Sequence, residues 1–295
     1  MKAGKRWRAA RWVSGSGIEI GALHEPLHLP PDVDVRYVDR MRSEELRRHY
    51  PELANENLAP VSIIGDAHDL SAIPDGSLDF VIANHLIEHL DNPIRGLKEM
   101  VRVLRPGGVL YVALPEPRVS FDRFRDITPI AHVVDEYRNG PDAAREEHFR
   151  DWVHNVEAHV AGMPKLDAAG MAARVRELME LDYSIHFHVF RPDTFLEFLV
   201  AACKEGDLSL EPLEFIPCYG DDDGEFIFVF AKGIATQPPV VPRIPEGSGE
   251  ELSELRDLLQ RAESRLESLT QSRSWRMTAP LRAAVRRSRA RQRTP

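Results

Sequence analysis

The sequence is poor in cysteine and has no long apolar segment. Its 295 residues include only two cysteines, Cys203 and Cys218, which are too few for a disulfide framework and too far apart for a metal-binding knuckle, so a reducing compartment is favoured. No apolar run approaches the ~20 residues that a membrane-spanning helix needs, and the charged N-terminus is not followed by the apolar core of a signal peptide. These absences predict a cytoplasmic protein.

Acidic residues are absent from both ends of the chain. Residues 1–12 contain five Lys or Arg and residues 273–295 contain eight Arg, although the whole chain has a net charge of −9. The acidic residues between the two ends disfavour the binding of polyanions. The tail also has few aromatic residues among its arginines besides Trp275, so we do not expect nucleic acid as a partner. The basic tail at 273–295 is instead a candidate for peripheral contact with the anionic inner face of a membrane.

Strand-like and helical patterns alternate between residues 17 and 115. Five apolar segments are typical of strands: GIEIG, VRYVD, VSIIGD, LDFVIAN and GVLYVALP. Before the last of them, the helical spacing of Ile94, Leu97, Met100, Val101 and Leu104 predicts a helix that ends at Pro106-Gly107-Gly108. Strands joined mostly by helices form a parallel sheet covered on both faces, so the predicted fold class is α/β, with a Rossmann-like doubly wound sheet.

The pattern changes after the fifth predicted strand. Residues 117–185 are rich in Arg, His and acids without a regular period. We expect them to form a lid-like insertion over the carboxyl ends of the strands, and a solvated helical cap is the alternative. RPDTFLEFLVAACKEG then predicts a helix with Pro192 in its first turn, and LEFIPCYGDDDGEFIFVFAK predicts a terminal antiparallel hairpin. Residues 1–235 are therefore predicted to form one domain.

The C-terminal part has a different composition. Residues 236–249 combine proline with Gly and Ser, which predicts a linker. Residues 250–272 place apolar side chains at steps of three and four, which predicts a short helical coiled-coil appendage through which the chain could form a homo-oligomer. The apolar positions are Leu252, Leu255, Leu259, Ala262, Leu266 and Leu269. The basic tail follows.

Polar residues occur at the ends of the first four predicted strands. Glu19 lies in the first strand, and Asp39 ends the second strand 20 residues later, the separation at which an acid in a doubly wound fold accepts hydrogen bonds from ribose hydroxyls. Asp66 ends the third strand, where it can accept from an adenine amine, and Asn84 and His85 end the fourth. One strand-end Asp is often only a turn or a helix cap, but together these residues predict a nucleoside site.

Residues 17–115 resemble the class I S-adenosylmethionine-dependent methyltransferases. The segments that carry the resemblance are EIG, YVDR, GDAHDLSAIPDGSLDFVIANHLIEHL and EMVRVLRPGGVLYVALP. The resemblance implies S-adenosylmethionine as cofactor and a set of cofactor-binding residues: Glu19, Gly21, Ala22, Asp39, Arg40, Asp66, Ala67, Asn84 and His85. FDRFRDITPIAHVVDEYRNG is similar to a branch of bacterial methyltransferases that accompany glycosyltransferases in surface-glycan synthesis, which implies a small-molecule acceptor such as a saccharide or glycan precursor.

The loop after the first strand departs from the family pattern. Leu23 and Glu25 occupy positions where the family has glycines, and three prolines between residues 26 and 31 disfavour a regular first helix. S-adenosylmethionine carries no pyrophosphate, so the loop need not wrap its amides around a dianion, and we expect Gly21 to suffice. The alternative is a catalytically inactive methyltransferase-fold scaffold that acts through the coiled coil and the basic tail. A dehydrogenase is disfavoured because the pyrophosphate turn is missing.

The candidate catalytic residues are histidines. Transfer to an oxygen acceptor requires removal of a proton, and a histidine with a pKa near neutrality suits that role. The candidates are His85 after the fourth strand, His132 in the insertion and His188 in IHFHVF. His186 and His188 would face one side of a strand, but no cysteine or carboxylate lies nearby at a diagnostic spacing, so the sequence predicts no metal site. We therefore expect an O-directed methyltransferase.

Overall fold

The computed structural model describes residues 2–160, 166–220 and 223–233, together with the single positions Asp257, Gln260, Arg261 and Ser264. The predicted linker at 236–249 and the basic tail at 273–295 lie outside the described residues. So does the predicted coiled coil at 250–272, apart from those four positions. Within the described part of the chain, no helix is long and apolar enough to span a membrane.

A mixed seven-stranded sheet forms the centre of the described part. The strands are β1 (Ser16–Ile20), β2 (Asp34–Asp39), β3 (Val61–Ile64), β4 (Leu78–Asn84), β5 (Leu104–Pro115), β6 (Leu210–Ile216) and β7 (Glu225–Lys232). Their order is β3-β2-β1-β4-β5-β7-β6, with the first five parallel and β7 antiparallel to both of its neighbours. The predicted doubly wound sheet with a terminal antiparallel hairpin is confirmed, and its order reverses between β1 and β4.

Helices pack on both faces of the sheet and form the insertion. They are α1 (Lys2–Ala10), α2 (Ser43–His49), α3 (Pro93–Val103), α4 (Ile130–Asn139), α5 (Arg145–Asn155), α6 (Ala168–Glu180) and α7 (Pro192–Gly206). In α3, Asn92 caps the first turn by accepting a hydrogen bond from the Arg95 N–H at 3.1 Å. The helix ends at Val103 rather than at residues 106–108, because the chain passes directly into β5, where Leu104 pairs with Leu78.

An N-terminal helix takes the place of the first crossover helix. Residues 21–33 contain no helix, as the prolines of this loop predict. The face of the sheet formed by Phe80, Tyr111 and Ile227 is covered instead by α1, whose Ala9 is buried in the same apolar cluster. The helix thus closes a face that would otherwise expose large apolar side chains.

Ion pairs fix α1 to the terminal hairpin. The Arg6 guanidinium donates to both carboxylate oxygens of Glu225, at 2.8 and 2.7 Å, and the Lys5 ammonium lies 2.6 Å from Asp223. Both acids and Lys5 are almost completely buried. These N-terminal positive charges are therefore used inside the domain rather than presented to a partner.

The described parts of the insertion, residues 117–160 and 166–185, are largely helical and have a small core of their own. They contain α4, α5 and α6, with short 3₁₀ turns between them. Phe149, Val175 and Leu178 bury their side chains together with Phe187, which joins α5 and α6 to the segment before α7. Because α4 also packs against α3 and α7, the insertion is anchored on the main domain.

Candidate active site

A cavity of about 700 Å³ opens where β1 to β4 end, at the point where the strand order reverses. We call it the strand-end cavity. Residues that follow the strands line its sheet side, among them Gly21, Leu23, Asp39, Asp66, His85 and His89. The insertion lines its other side through Phe121, Arg145, Trp152, Asp182 and Tyr183, together with His186 in the segment that follows the insertion. Ligands of doubly wound folds bind at this place, and the volume lies in the ordinary range of small-molecule sites.

The loop after β1 has a positive φ at two positions, a conformation typical of glycine, although the loop contains a single glycine. Gly21 has a φ of +67° and donates its N–H to the Val38 carbonyl at 2.9 Å. Leu23 also has a positive φ, +47°, at a position where the family pattern has glycine. Its carbonyl accepts from the Ala59 N–H at 2.7 Å, and its side chain packs in the cluster of Leu46. The surrounding structure therefore holds a conformation that an L residue disfavours.

Glu19 supports this loop from behind the cavity wall. Its side chain is fully buried, both carboxylate oxygens accept the Leu27 N–H at 3.0 Å, and Oε1 also accepts from the Asn84 amide at 3.0 Å. Burial raises the pKa of Glu19 to about 7, against the opposing effect of these hydrogen bonds. Glu19, Ala22 and Asn84 are buried and do not line the cavity. Glu19 and Asn84 position the loop, and contact of Glu19, Ala22 and Asn84 with the cofactor stays a prediction.

The second strand brings one acidic and one basic residue to the cavity. Asp39 lines the cavity, where burial raises its pKa while the N–H groups of Arg40 and Met41 donate to it and oppose that rise. Arg40 also lines the cavity, but its guanidinium donates to Asp182 at 2.8 Å and to the Tyr50 hydroxyl at 3.0 Å. Arg40 therefore links the sheet to the insertion.

Asp66 and Ala67 follow β3 and line the cavity. The backbone N–H and the Nδ1 of His68 both donate to Asp66 Oδ1 at 2.7 Å, and the side-chain bond does most to lower the pKa of Asp66 to about 2 in spite of partial burial. The backbone contact is the Asx turn that a strand-end Asp often makes. Because the Asp66 side chain is still 51% exposed, it also has room to meet a ligand.

His85 is held between two buried carboxylates. It follows β4 with a φ of +46°, its Nε2 lies 2.8 Å from Glu225 Oε2, and its Nδ1 lies 3.5 Å from Glu88 Oε1. Burial alone would lower its pKa, but the two carboxylates outweigh that effect and raise the pKa to about 9. His85 lines the cavity, and its role as a general base, which the raised pKa disfavours, stays a prediction.

The other two candidate catalytic histidines do not line the cavity. His132 and His188 belong to a separate cluster with Glu136 and His148, which we call the insertion cluster. In it, Glu136 Oε1 lies 2.7 Å from His148 Nε2 and 3.1 Å from His132 Nε2. Burial lowers the pKa of His188 to about 3. The structure thus places His132 in the insertion and His188 just after it, away from the cavity, and a catalytic role for either residue stays a prediction.

The cavity also contains residues that the sequence did not single out as catalytic. His89 and His186 line it with their rings edge to face, 4.5 Å between centroids, and burial lowers the pKa of His89 to about 4. Trp152 and Arg145 come from α5. The pattern IHFHVF drew attention to His186, but only the tertiary structure brings it beside His89, which comes far earlier in the chain.

The strands around the cavity match a known domain family. Residues 17–112 match the model of the family described as Methyltransferase domain. A probable S-adenosylmethionine-dependent methyltransferase of Mycolicibacterium smegmatis is 35% identical over 94 residues, which cover 31% of this chain and 32% of that protein. Demethylmenaquinone methyltransferase of Beutenbergia cavernae is 34% identical over 116 residues, which cover 37% of this chain and 45% of that protein.

Solved structures give a more distant likeness. A putative methyltransferase of Bacillus halodurans is similar over 78% of this chain and 97% of its own, with 15% identity and a TM-score of 0.40. The chain spans between 28% and 45% of the length of the curated relatives that it matches. The matched segment runs from β1 into β5 and so includes every strand end at the cavity. Residues 17–112, which form the sheet side of the cavity, are thus the part of the chain that is similar to the Methyltransferase domain family.

Proposed function

We propose that this chain is an S-adenosylmethionine-dependent methyltransferase that transfers the methyl group to a hydroxyl oxygen of a saccharide or glycan precursor. One observation carries the proposal: Gly21, Asp39 and Asp66 follow three adjacent parallel strands and line a single cavity, which the insertion completes. Cofactor groups on one side and acceptor groups on the other are what a two-substrate transfer requires.

The groups at the strand ends suit a nucleoside that carries a sulfonium. Asp39 and Asp66 offer carboxylate oxygens, which accept hydrogen bonds from ribose hydroxyls and from an adenine amine. Gly21 has no side chain to fill the space beside them, and a Cβ there would meet Leu86 at 3.5 Å. We infer that Asp39 and Asp66 would hold the nucleoside and that the loop at Gly21 would approach the methionine part. When bound, the cofactor supplies an electrophilic methyl group.

Transfer of that methyl group depends on alignment and on the exclusion of water, because positive charge disappears as the new bond forms. Phe121, Trp152 and Tyr183 supply aromatic surface on the insertion side of the cavity. The Arg40 to Asp182 hydrogen bond, 2.8 Å long, ties this side to the sheet. We therefore assign the insertion at 117–185 the role of a lid that covers the reacting groups.

The insertion side of the cavity combines aromatic faces with charged groups. Phe121 is 47% exposed and lies edge to face with Trp152 at 5.5 Å, and Arg145 and Asp182 lie in the same wall. A sugar presents C–H faces to aromatic rings and hydroxyls to charged groups, so this wall fits a hydroxyl-rich acceptor better than an extended apolar one. The resemblance to methyltransferases that accompany glycosyltransferases supports the same acceptor class.

Calorimetric titration of S-adenosylhomocysteine into the full chain tests the cofactor part. Asp39→Ala removes a charged acceptor of the ribose hydroxyls and should weaken binding about 10-fold to 100-fold, as expected for hydrogen bonds to a charged group. Asp34→Ala is the matched control, because Asp34 begins the same strand at the opposite edge of the sheet and should leave the affinity unchanged. Absence of binding by the folded chain, or equal loss in both variants, would contradict the proposal.

A methyl-transfer screen tests the acceptor part. The full chain is incubated with S-adenosylmethionine and one of three acceptor classes: methyl glycosides of hexoses and deoxyhexoses, aliphatic amines, and phenols. We expect release of S-adenosylhomocysteine above background with glycosides only, and mass spectrometry should locate the new methyl group on oxygen. Turnover with amines and not with glycosides would refute the O-directed assignment.

A further inference from the structure

Three side chains with the chemistry of metal ligands meet in the wall of the strand-end cavity. Glu88 and His89 lie in the 3₁₀ turn after β4, and His186 lies in the segment before α7. One ligand atom of each residue lies within 4.8 Å of the other two, and both histidines line the cavity. We call this group the cavity cluster.

Glu88 is a buried carboxylate whose two oxygens lack a close hydrogen bond. Its side chain is 1% exposed, and neither carboxylate oxygen makes a hydrogen bond within the described part of the chain. The nearest positive charge is that of His85, whose Nδ1 lies 3.5 Å from Oε1 and whose Nε2 pairs with Glu225 at 2.8 Å, so Glu88 shares this single charge with a second carboxylate. A buried carboxylate is costly unless charge or hydrogen bonds compensate it. Glu88 therefore points to a cationic ligand.

The two imidazoles are oriented from behind in the way that metal-binding histidines are. His186 Nδ1 lies 2.6 Å from Asp122 Oδ2, and the Arg125 guanidinium donates to the same carboxylate at 2.9 Å. His89 Nδ1 lies 3.0 Å from the Ile185 carbonyl. A carboxylate and a carbonyl can only accept, so each Nδ1 carries a hydrogen, and in the neutral ring the lone pair is then on Nε2. Histidine ligands of metals usually have this second hydrogen bond.

We propose that Glu88, His89 and His186 bind a divalent transition-metal cation, such as Mn²⁺, Fe²⁺ or Zn²⁺, at the acceptor side of the cavity. Two imidazole nitrogens and one carboxylate suit such ions better than Mg²⁺ or Ca²⁺, which prefer oxygen ligands throughout. Three protein ligands also leave positions open for another oxygen. The sequence predicted no metal because the carboxylate comes from the end of β4, far from IHFHVF in the chain.

The role of the cation in catalysis rests on the proposed function, whereas its binding does not. A cation at the cavity wall would bind the acceptor hydroxyl, fix its orientation and lower its pKa. The hydroxyl proton would leave to water at the open side of the cavity. The oxygen would then form the new bond to the methyl carbon, while the electron pair of the broken carbon–sulfur bond stays on sulfur.

The insertion cluster is the natural comparison, because it contains the same residue types. Its carboxylate is already satisfied on one oxygen, since Glu136 Oε1 lies within hydrogen-bonding distance of His132 and His148, at 3.1 and 2.7 Å. Its members do not line the strand-end cavity. Glu136→Gln is therefore a matched control for Glu88→Gln, with the same change of charge at a site of similar composition.

Metal titration of the full chain tests the inference. The protein is treated with EDTA, dialysed and titrated with Mn²⁺ and Zn²⁺ by calorimetry, and Co²⁺ is added separately to record visible absorption. We expect one bound cation that Glu88→Gln weakens at least 10-fold and that Glu136→Gln leaves unchanged. Asp122→Asn, which removes the charge that holds both His186 and Arg125 but no proposed ligand of the cation, should weaken binding about 10-fold to 100-fold. Circular dichroism and the melting temperature check that each variant is folded.

The outcomes separate this inference from the proposed function. No binding of Mn²⁺, Zn²⁺ or Co²⁺ by the folded chain would overturn it, and so would binding that Glu136→Gln abolishes and Glu88→Gln does not. If Glu88→Gln does not fold, the same comparison is made with His186→Ala and Asp122→Asn. Binding of the cation without binding of S-adenosylhomocysteine would leave the metal site standing and reject the proposed function. Binding of S-adenosylhomocysteine without binding of a cation would leave the proposed function standing and reject the metal site.

Discussion

Ionisation of Glu19 should oppose folding at neutral pH. Its carboxylate is fully buried behind the loop after β1, and its pKa of about 7 exceeds the ordinary value of 4.5. Below pH 4.5 the group is protonated in both states and has no effect. As the pH rises from 4.5 to 7, the unfolded chain ionises and the folded chain does not, which favours unfolding. Above pH 7 both states are ionised, and the full cost of about 3 kcal/mol is present.

Glu19→Gln removes this dependence, so urea unfolding of the wild type and the variant should differ by an amount that grows with pH. We expect the free energy of unfolding of the variant, relative to the wild type, to rise by about 2 to 3 kcal/mol between pH 5 and pH 8. Any change in the hydrogen bonds to Leu27 and Asn84 adds a constant offset, so the slope is the quantity to measure. Glu211→Gln, at an exposed position of β6, controls for the loss of one negative charge.

A flat difference over this pH range would refute the reasoning. It would mean that the N–H donors at Leu27 and Asn84 compensate burial completely and that Glu19 is ionised throughout. A difference in unfolding free energy that falls as the pH rises would mean that these donors more than compensate for the burial of Glu19. Either result would change the picture of the loop, because a permanently charged carboxylate would hold the Leu27 amide more strongly than a carboxyl that is protonated half of the time at pH 7.

Three further predictions concern the backbone and the buried ion pairs. Leu23→Gly should be more stable than Leu23→Ala by about 1 kcal/mol, because both lose the side chain but only alanine keeps the strain of a positive φ; equal urea midpoints would argue against that φ. Gly17→Ala should lower the free energy of unfolding by about 2 to 3 kcal/mol, since its Cβ would lie 2.3 Å from the Phe80 carbonyl oxygen. Gly4→Ala in α1, where a Cβ would have nothing within 4 Å, should instead raise it by up to about 1 kcal/mol. A Gly17→Ala variant as stable as the wild type would contradict the close approach of β1 and β4. Glu225→Gln should cost about 3 to 5 kcal/mol by leaving buried cations unpaired, and in a double-mutant cycle Arg6→Met should recover part of that loss; strict additivity would show that the two side chains do not interact.

Local patterns predicted the sheet and the convergence of the strand-end residues Asp39 and Asp66 on one cavity. The apolar spacing in α3 and α7 depends only on neighbours in sequence, and carboxyl ends of parallel strands meet at one edge of a sheet whatever the rest of the fold does. For this reason Asp39 and Asp66 could be assigned to one site before any contact was known. The end of α3 was misplaced by a few residues, because the start of β5 depends on pairing with Leu78 rather than on local sequence.

The acceptor side could not be predicted in the same way. His85 looked like a free base, but its pKa depends on Glu225, which lies 140 residues further along the chain. The approach of His186 to Glu88 likewise depends on how the insertion folds back. The positive φ of Leu23 had no local signal either, since a leucine gives no hint of a left-handed backbone. Each of these features arises from tertiary contacts, which a reading of residue spacing does not contain.

The attachment of α1 to β7 has a consequence for synthesis on the ribosome. Arg6 emerges first and its partner Glu225 comes 219 residues later, so the ion pair that fixes α1 cannot form until nearly the whole domain has been made. Until then its apolar side and the face of the sheet around Tyr111 are both open to other chains. A circular permutation that places α1 directly after β7 would let the two fold as neighbours, and the yield of soluble protein should then depend less on chaperones during translation.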